Sequence, residues 1–122
     1  MTIVVLMADL FFSATITAIA KQLGIKVQLL KDKEVLLDKI RTKPLAVIFD
    51  LNYSAADPVR IIEQLKADPG TKDIPLIGFV SHVQTELKSK AQQAGCDEVL
   101  ARSVFAQKLP AILARHMTPQ AG

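Results

Sequence analysis

The stretch AVIFDLN, Ala46 to Asn52, runs apolar residues of mostly β-branched and aromatic type straight into a carboxylate. Pro44 bounds it on one side and a polar loop on the other. A short apolar run of this kind reads as a strand covered on both faces, as strands of parallel sheets are. Asp50 then stands at the strand's carboxyl end. In open α/β sheets that edge faces the loops leading into the following helices, and ligands and chemistry collect there. Asp50 is accordingly either a reacting group or a cap on its loop.

Reading outward from this strand gives a regular alternation. TIVVLM is a first central strand, and Phe12, Ile16, Ile19 and Leu23 recur behind it at helical spacing until Gly24 stops the helix. KVQLL is a second strand. DKEVLLDKIRT is a second helix with Leu36 and Ile40 on one face. After Asp50, Asp57 is placed to cap a third helix opened by Pro58 and carrying Ile61, Ile62 and Leu65. IPLIGFV is a fourth buried strand, followed by a helix with Val83, Leu87, Ala91 and Ala94 inward and Gly95 at its end. EVLA is a short fifth strand. Leu109, Ile112, Leu113 and His116 share one side of the last helix, and Pro110, tolerable in a first turn, predicts regular hydrogen bonding from Ala106 or Gln107. Strands alternating with helices through short loops imply a flavodoxin-like (βα)5 three-layer sandwich around a five-stranded parallel sheet. Asp9, Asp50, Ser81, His82 and Arg102 then gather at one sheet edge.

The 122 residues suffice for one domain, read as residues 1–116 with 117–122 as a flexible tail, and a hydrophobic share of 50% supplies a single core. No run approaches the ~18 apolar residues of a membrane span. The N-terminal stretch carries Asp9 and has no basic leader, so it reads as a strand and not a secretory signal. Cys96 alone makes no disulfide framework or cysteine-rich metal site, which suits a reducing cytoplasm. A charge of +3, interleaved acids and bases, and few aromatics argue against nucleic-acid binding.

Three motifs in order carry a family likeness: Asp50 at the end of the third strand, Asp73-Ile74-Pro75 before the fourth, and AQQAGCDEVLARS from Ala91 to Ser103. With them the chain resembles the receiver domain of bacterial response regulators over almost its whole length. The resemblance implies that Asp50 occupies the position that accepts a phosphoryl group from a histidine kinase. Asn52 would offer a backbone carbonyl to Mg²⁺, with Asp9 and Asp50 as the available carboxylates. The chain also departs from the pattern. Met7 and Ala8 stand where the family has an acidic pair, with Asp9 one place further on. The hydroxyl position falls on Val80 with Ser81 beside it, the lysine position on Arg102, the following proline on Ser103 and the aromatic switch on Val99.

These departures set the functional expectations. Arg102 is expected to pair with Asp50 through its planar fork, and Mg²⁺ binding to be weak or absent. Asp9 is read either as an N-cap or as a metal ligand. Ser81 and His82 are neighbours in a loop and are not expected to form a catalytic pair. Cys96 is expected to pack in the core. A flavin, nucleotide or cobalamin binder ranks last, because no phosphate-cradling glycine loop or Asp-x-His-x-x-Gly motif is present. The expected function is that of a non-enzymatic, degenerate receiver that binds a protein partner or itself without phosphorylation. The face for this is built by the fourth helix, fifth strand and last helix and includes Val99, Arg102 and Ser103. A genuine receiver phosphorylated on Asp50 by a histidine kinase is the alternative.

Overall fold

The computed structural model describes residues 1–81 and 84–117. Its elements run β1 (Thr2–Leu6), α1 (Leu10–Gln22), β2 (Lys26–Leu30), α2 (Lys33–Lys39), β3 (Ala46–Asp50), α3 (Pro58–Ala67), β4 (Leu76–Val80), α4 (Thr85–Ala94), β5 (Glu98–Ala101) and α5 (Arg102–Met117). All strand pairings are parallel, in the order β2-β1-β3-β4-β5. The flavodoxin-like (βα)5 arrangement expected from the alternation is therefore the one observed.

Strand periodicity divides the interior into two layers. Val4, Leu6, Val47, Phe49 and Leu76 face one way and pack on Leu36, Ile61, Ile62, Leu65 and Ala91 of α2, α3 and α4. Ile3, Val5, Ile48, Ile77 and Phe79 face the other way and pack on Ile16, Ala20, Phe105, Leu109 and Leu113 of α1 and α5. Residues of β3 and β4 are buried throughout, which explains why their sequences read as continuous apolar runs and not as alternation. Gly78 of β4 is fixed by a close approach. A Cβ there would lie 2.8 Å from Leu51 Cδ1, so the chain after Asp50 seats Leu51 where a side chain would otherwise stand. Gly95 closes α4 at φ +106°, a conformation that L side chains rarely adopt.

Three local expectations need correction. The second helix gives way after Lys39 to a single 3-10 turn, Ile40–Thr42, ended by Lys43 at φ 54°. Asp57 occupies the N-cap position of α3, but at φ 49° its side chain makes no cap bond, and its carbonyl receives the Ile61 N–H instead. The last helix begins at Arg102, directly after β5, and Pro110 lies well inside it. The bond from position 110 to the Ala106 carbonyl cannot form. Pro110 itself is exposed, and buried Phe105, Leu109, Ile112 and Leu113 hold the helix on both sides of it. Met117 ends α5 and packs on the core, so the helix enters the segment expected as a tail. Residues 118–122, and the His82 and Val83 assignments, lie outside the described residues.

Candidate functional site

The carboxyl ends of β1, β3, β4 and β5 deliver Asp9, Asp50, Ser81 and Arg102 to one edge of the sheet. Asp50, paired in register with Phe79, is only 7% exposed. Its Oδ1 accepts the Asn52 N–H at 3.0 Å. Burial pushes the Asp50 carboxyl above its ordinary value; that N–H and the Arg102 charge pull it back, and Asp9 adds to the rise.

Asp9 caps α1: its Oδ1 accepts the N–H groups of Phe11 at 3.0 Å and Phe12 at 3.1 Å. Its Oδ2 accepts from Arg102 Nη1 at 2.9 Å. The Phe12 N–H is the main influence holding the Asp9 carboxyl below its ordinary value; partial burial opposes it, and Arg102 and the Phe11 N–H reinforce it. Of the two readings of Asp9, N-cap or metal ligand, the geometry contains the cap.

The expected Arg102–Asp50 pair does not form, because Arg102 is held elsewhere. Its guanidinium lies 4.7 Å from the Phe12 ring centroid and 5.6 Å from that of Phe79, on the α1 and α5 side of the sheet. Phe12, Phe79 and Phe105 form one aromatic group, with Phe12 and Phe79 centroids 5.0 Å apart and Phe79 and Phe105 4.9 Å apart. This packing aims Arg102 at the start of α1, and Asp50 is left with the Asn52 amide. Arg102 Nε is buried without a hydrogen-bond partner among the described residues.

Asn52 does more than its backbone suggested. Its Nδ2 donates to Gln84 Oε1 at 2.6 Å, and its Oδ1 accepts from Ser81 N at 2.8 Å and Ser81 Oγ at 2.9 Å. One side chain thus ties the loop after β3 to the end of β4 and the start of α4. Val80 is buried, so the position of the expected hydroxyl holds core packing, and the neighbouring Ser81 hydroxyl is engaged by Asn52. Val99 is also buried and is not on the outer face to which it was assigned. Ser103 is exposed. Phe12, Phe79 and Gln84 were missed by sequence reasoning; the only available signal was Phe12 three residues after a capping aspartate.

Met7 is fully buried in the apolar layer, Asp9 has both oxygens engaged, and Asp50 supplies one buried carboxylate. No group of three or more His, Cys, Asp or Glu side chains converges on a metal position among the described residues. Mg²⁺ holds near-octahedral oxygen shells, usually with a carboxylate or two free to bind it. The arrangement does not fit such an ion unless Arg102 leaves Asp9.

No protein-family profile matches the chain, and no curated protein matches it by sequence. Solved structures do match. A response regulator from Hahella chejuensis superposes with a TM-score of 0.84 at 15% identity, covering 99% of this chain and 98% of that one. A response regulator in red light signaling of R. palustris gives 0.81 at 16% identity over 98% and 96% of the two chains. The receiver domain of a sensor histidine kinase from Pseudomonas aeruginosa PAO1, with a magnesium ion coordinated in its active site cleft, gives 0.81 at 20% identity over 95% and 96%. The chain has the fold of response-regulator receiver domains.

Proposed function

We propose that this protein is a receiver-like signalling module of the two-component type that works by protein contact without needing phosphorylation. The observation that carries the reading is the Arg102–Asp9 bond, which commits the carboxylate nearest the expected metal position to a helix cap and a guanidinium. Phosphoryl transfer to a carboxylate relies on a metal to neutralise developing charge, and this site offers too few free oxygens to hold one well. Mg²⁺ binding is accordingly weak. The module is not an enzyme and acts in the cytoplasm. Its partner binds the face of α4, β5 and α5, where Ser103 is exposed and Leu100, Ala101 and Val104 are half-buried. Among the described residues no helix is long and apolar enough to cross a membrane.

One observation favours the alternative, phosphorylation of Asp50 by a histidine kinase. Asp50 stands at the strand end with a single hydrogen bond to its carboxylate among the described residues. The test is incubation with a small-molecule phosphodonor and Mg²⁺ followed by intact mass, paired with sedimentation or pull-down of wild type and Asp50→Ala with and without beryllofluoride. The proposal expects no phosphoryl adduct and no response of association to the mimic. An adduct, with a response that Asp50→Ala abolishes, establishes the alternative.

A further inference from the structure

Charge is distributed unequally between the two helical layers. Helices α2, α3 and α4 carry 10 charged side chains in 27 residues, of both signs. Helices α1 and α5 carry 4 in 29, all basic. Of these four, Arg102 is spent on Asp9, and Arg115 bonds Glu98 of the edge strand β5, which puts its flank of α5 away from α1. The outward side of α1 has no charge before Lys21 and presents Leu10 at 65% and Phe11 at 91% exposure. On α5 the outward side continues through Gln107 and Pro110, again uncharged, while exposed Lys108 sits seven residues before Arg115 on that same flank. An exposed apolar patch bordered by uncharged surface marks an interaction site, not ordinary solvated surface.

We propose that a second copy of this chain covers this face, the two α1 helices packing antiparallel about a two-fold axis between Ala14 and Thr15. The step in side-chain size supports self-pairing. Phe11, Ala14 and Ala18 follow one another at helical spacing on the exposed side. In an antiparallel pair about that axis, Phe11 of each copy lies over Ala18 of the other, so the largest exposed side chain meets one of the smallest in both halves of the interface. A partner chosen by charge would find no countercharge here, whereas an uncharged face meets itself without like-charge repulsion at its centre. The antiparallel arrangement also sets the N-terminal end of each helix dipole beside the C-terminal end of the other. Helices of 13 and 16 residues are roughly 20 and 24 Å long. Side by side they present roughly twice the face of α1 alone, so α5 has to share any contact that approaches the ~800 Å² per partner of a stable interface. This pairing is independent of Asp50, uses the side of α5 next to α1, and leaves α4, β5 and the Ser103–Val104 end of α5 for the partner of the proposed function.

The test is sedimentation equilibrium of the full chain from the micromolar to the near-millimolar range, for wild type, Phe11→Ala and Phe11→Asp. A concentration-dependent dimer is expected for the wild type, a roughly tenfold or larger rise in dissociation constant for Phe11→Ala, and a monomer throughout for Phe11→Asp. Aspartate suits a first helical turn and the site is exposed, so circular dichroism and the melting temperature should match wild type. Independently, Ala14→Cys should form a disulfide-linked dimer under mild oxidation, and Gln92→Cys on the exposed side of α4 should not. Cys96 does not interfere, being buried. A wild type that stays monomeric, a Phe11→Asp protein that dimerises like wild type, loss of the dimer only through unfolding with no Ala14→Cys cross-link, or equal cross-linking through Gln92→Cys would each overturn the proposal. So would a Phe11-dependent complex with a helix of another protein from which the homodimer is absent.

Discussion

Replacing Asn52 by alanine removes the acceptor of Ser81 N–H and Oγ and the donor to Gln84 in one step. The consequences differ by group. The Ser81 hydroxyl can rotate and the Gln84 amide can turn toward water, so their losses are small. The Ser81 backbone N–H cannot turn, and an unsatisfied donor costs about 1–3 kcal/mol when buried. All three bonds are only part-buried, which places the sum at the lower end, about 1–2 kcal/mol. For a chain of this size that is a fall in melting temperature of roughly 4–8 °C. The assay is urea denaturation followed by circular dichroism, with hydrogen exchange read residue by residue. Exchange at Ser81 and the first turn of α4 should accelerate more than at β1 or α1, because Asn52 ties only the ends of β3, β4 and α4. A loss below ~0.3 kcal/mol, or faster exchange spread evenly over the molecule, would refute the reasoning.

Three further outcomes follow from the same geometry. Asp50 has a raised folded-state value, so the native state binds its proton more tightly than the unfolded chain does. Its contribution to stability therefore falls as pH rises from the unfolded value near 3.8 through the folded value, and is level above it. Asp50→Asn should be more stable than wild type at neutral pH, with the gap closing in acid; a gap that widens in acid would contradict this. Gly78→Ala should cost about 1–3 kcal/mol in urea denaturation, because the new methyl meets the Leu51 side chain at 2.8 to 3.3 Å, and Leu51→Ala in the same background should recover part of the loss. Cys96, its thiol pushed up to about 12 by burial, should react with a thiol reagent only at the rate of unfolding, and prompt reaction in the native protein would show an opening the packing does not contain.

The fold was legible because its signals are redundant. Apolar runs ending at Asp50 and Val80, helical spacing from Phe12 to Leu23, and the stops at Gly24 and Gly95 each point to the same alternation, and a right-handed parallel sheet is the arrangement that accommodates it. The start of α5 was misread because Pro110 was weighed as a helix breaker, while the surrounding apolar contacts, visible only in three dimensions, outweigh one missing bond. At the site, the position of each residue followed from its strand end, but its partner did not. Arg102 can reach either of two carboxylates, and the choice is made by Phe12 and Phe79, which come from elements 67 residues apart in the chain. Asn52 was legible as a backbone carbonyl, while its side-chain bonds depend on how β4 and α4 approach it. Val99 was assigned outward by analogy with a switch position, although the alternation of β5 turns it into the core layer of α2, α3 and α4.

The Arg102–Asp9 bond joins residues 93 positions apart, the first helix's cap to the first residue of the last helix. During synthesis, β1, β2 and β3 with the helices between them can pair once the chain has emerged past residue 50, since the three strands are neighbours in the sheet. Asp9 can cap α1 from that moment, because its bonds to Phe11 and Phe12 are local. Its second oxygen must wait for β4, which carries Phe79, and for α5. A nascent or truncated chain therefore holds a carboxylate exposed to cations that the finished fold has covered with its own guanidinium. Asp9 gains its countercharge last, and only in a chain that has reached its final helix.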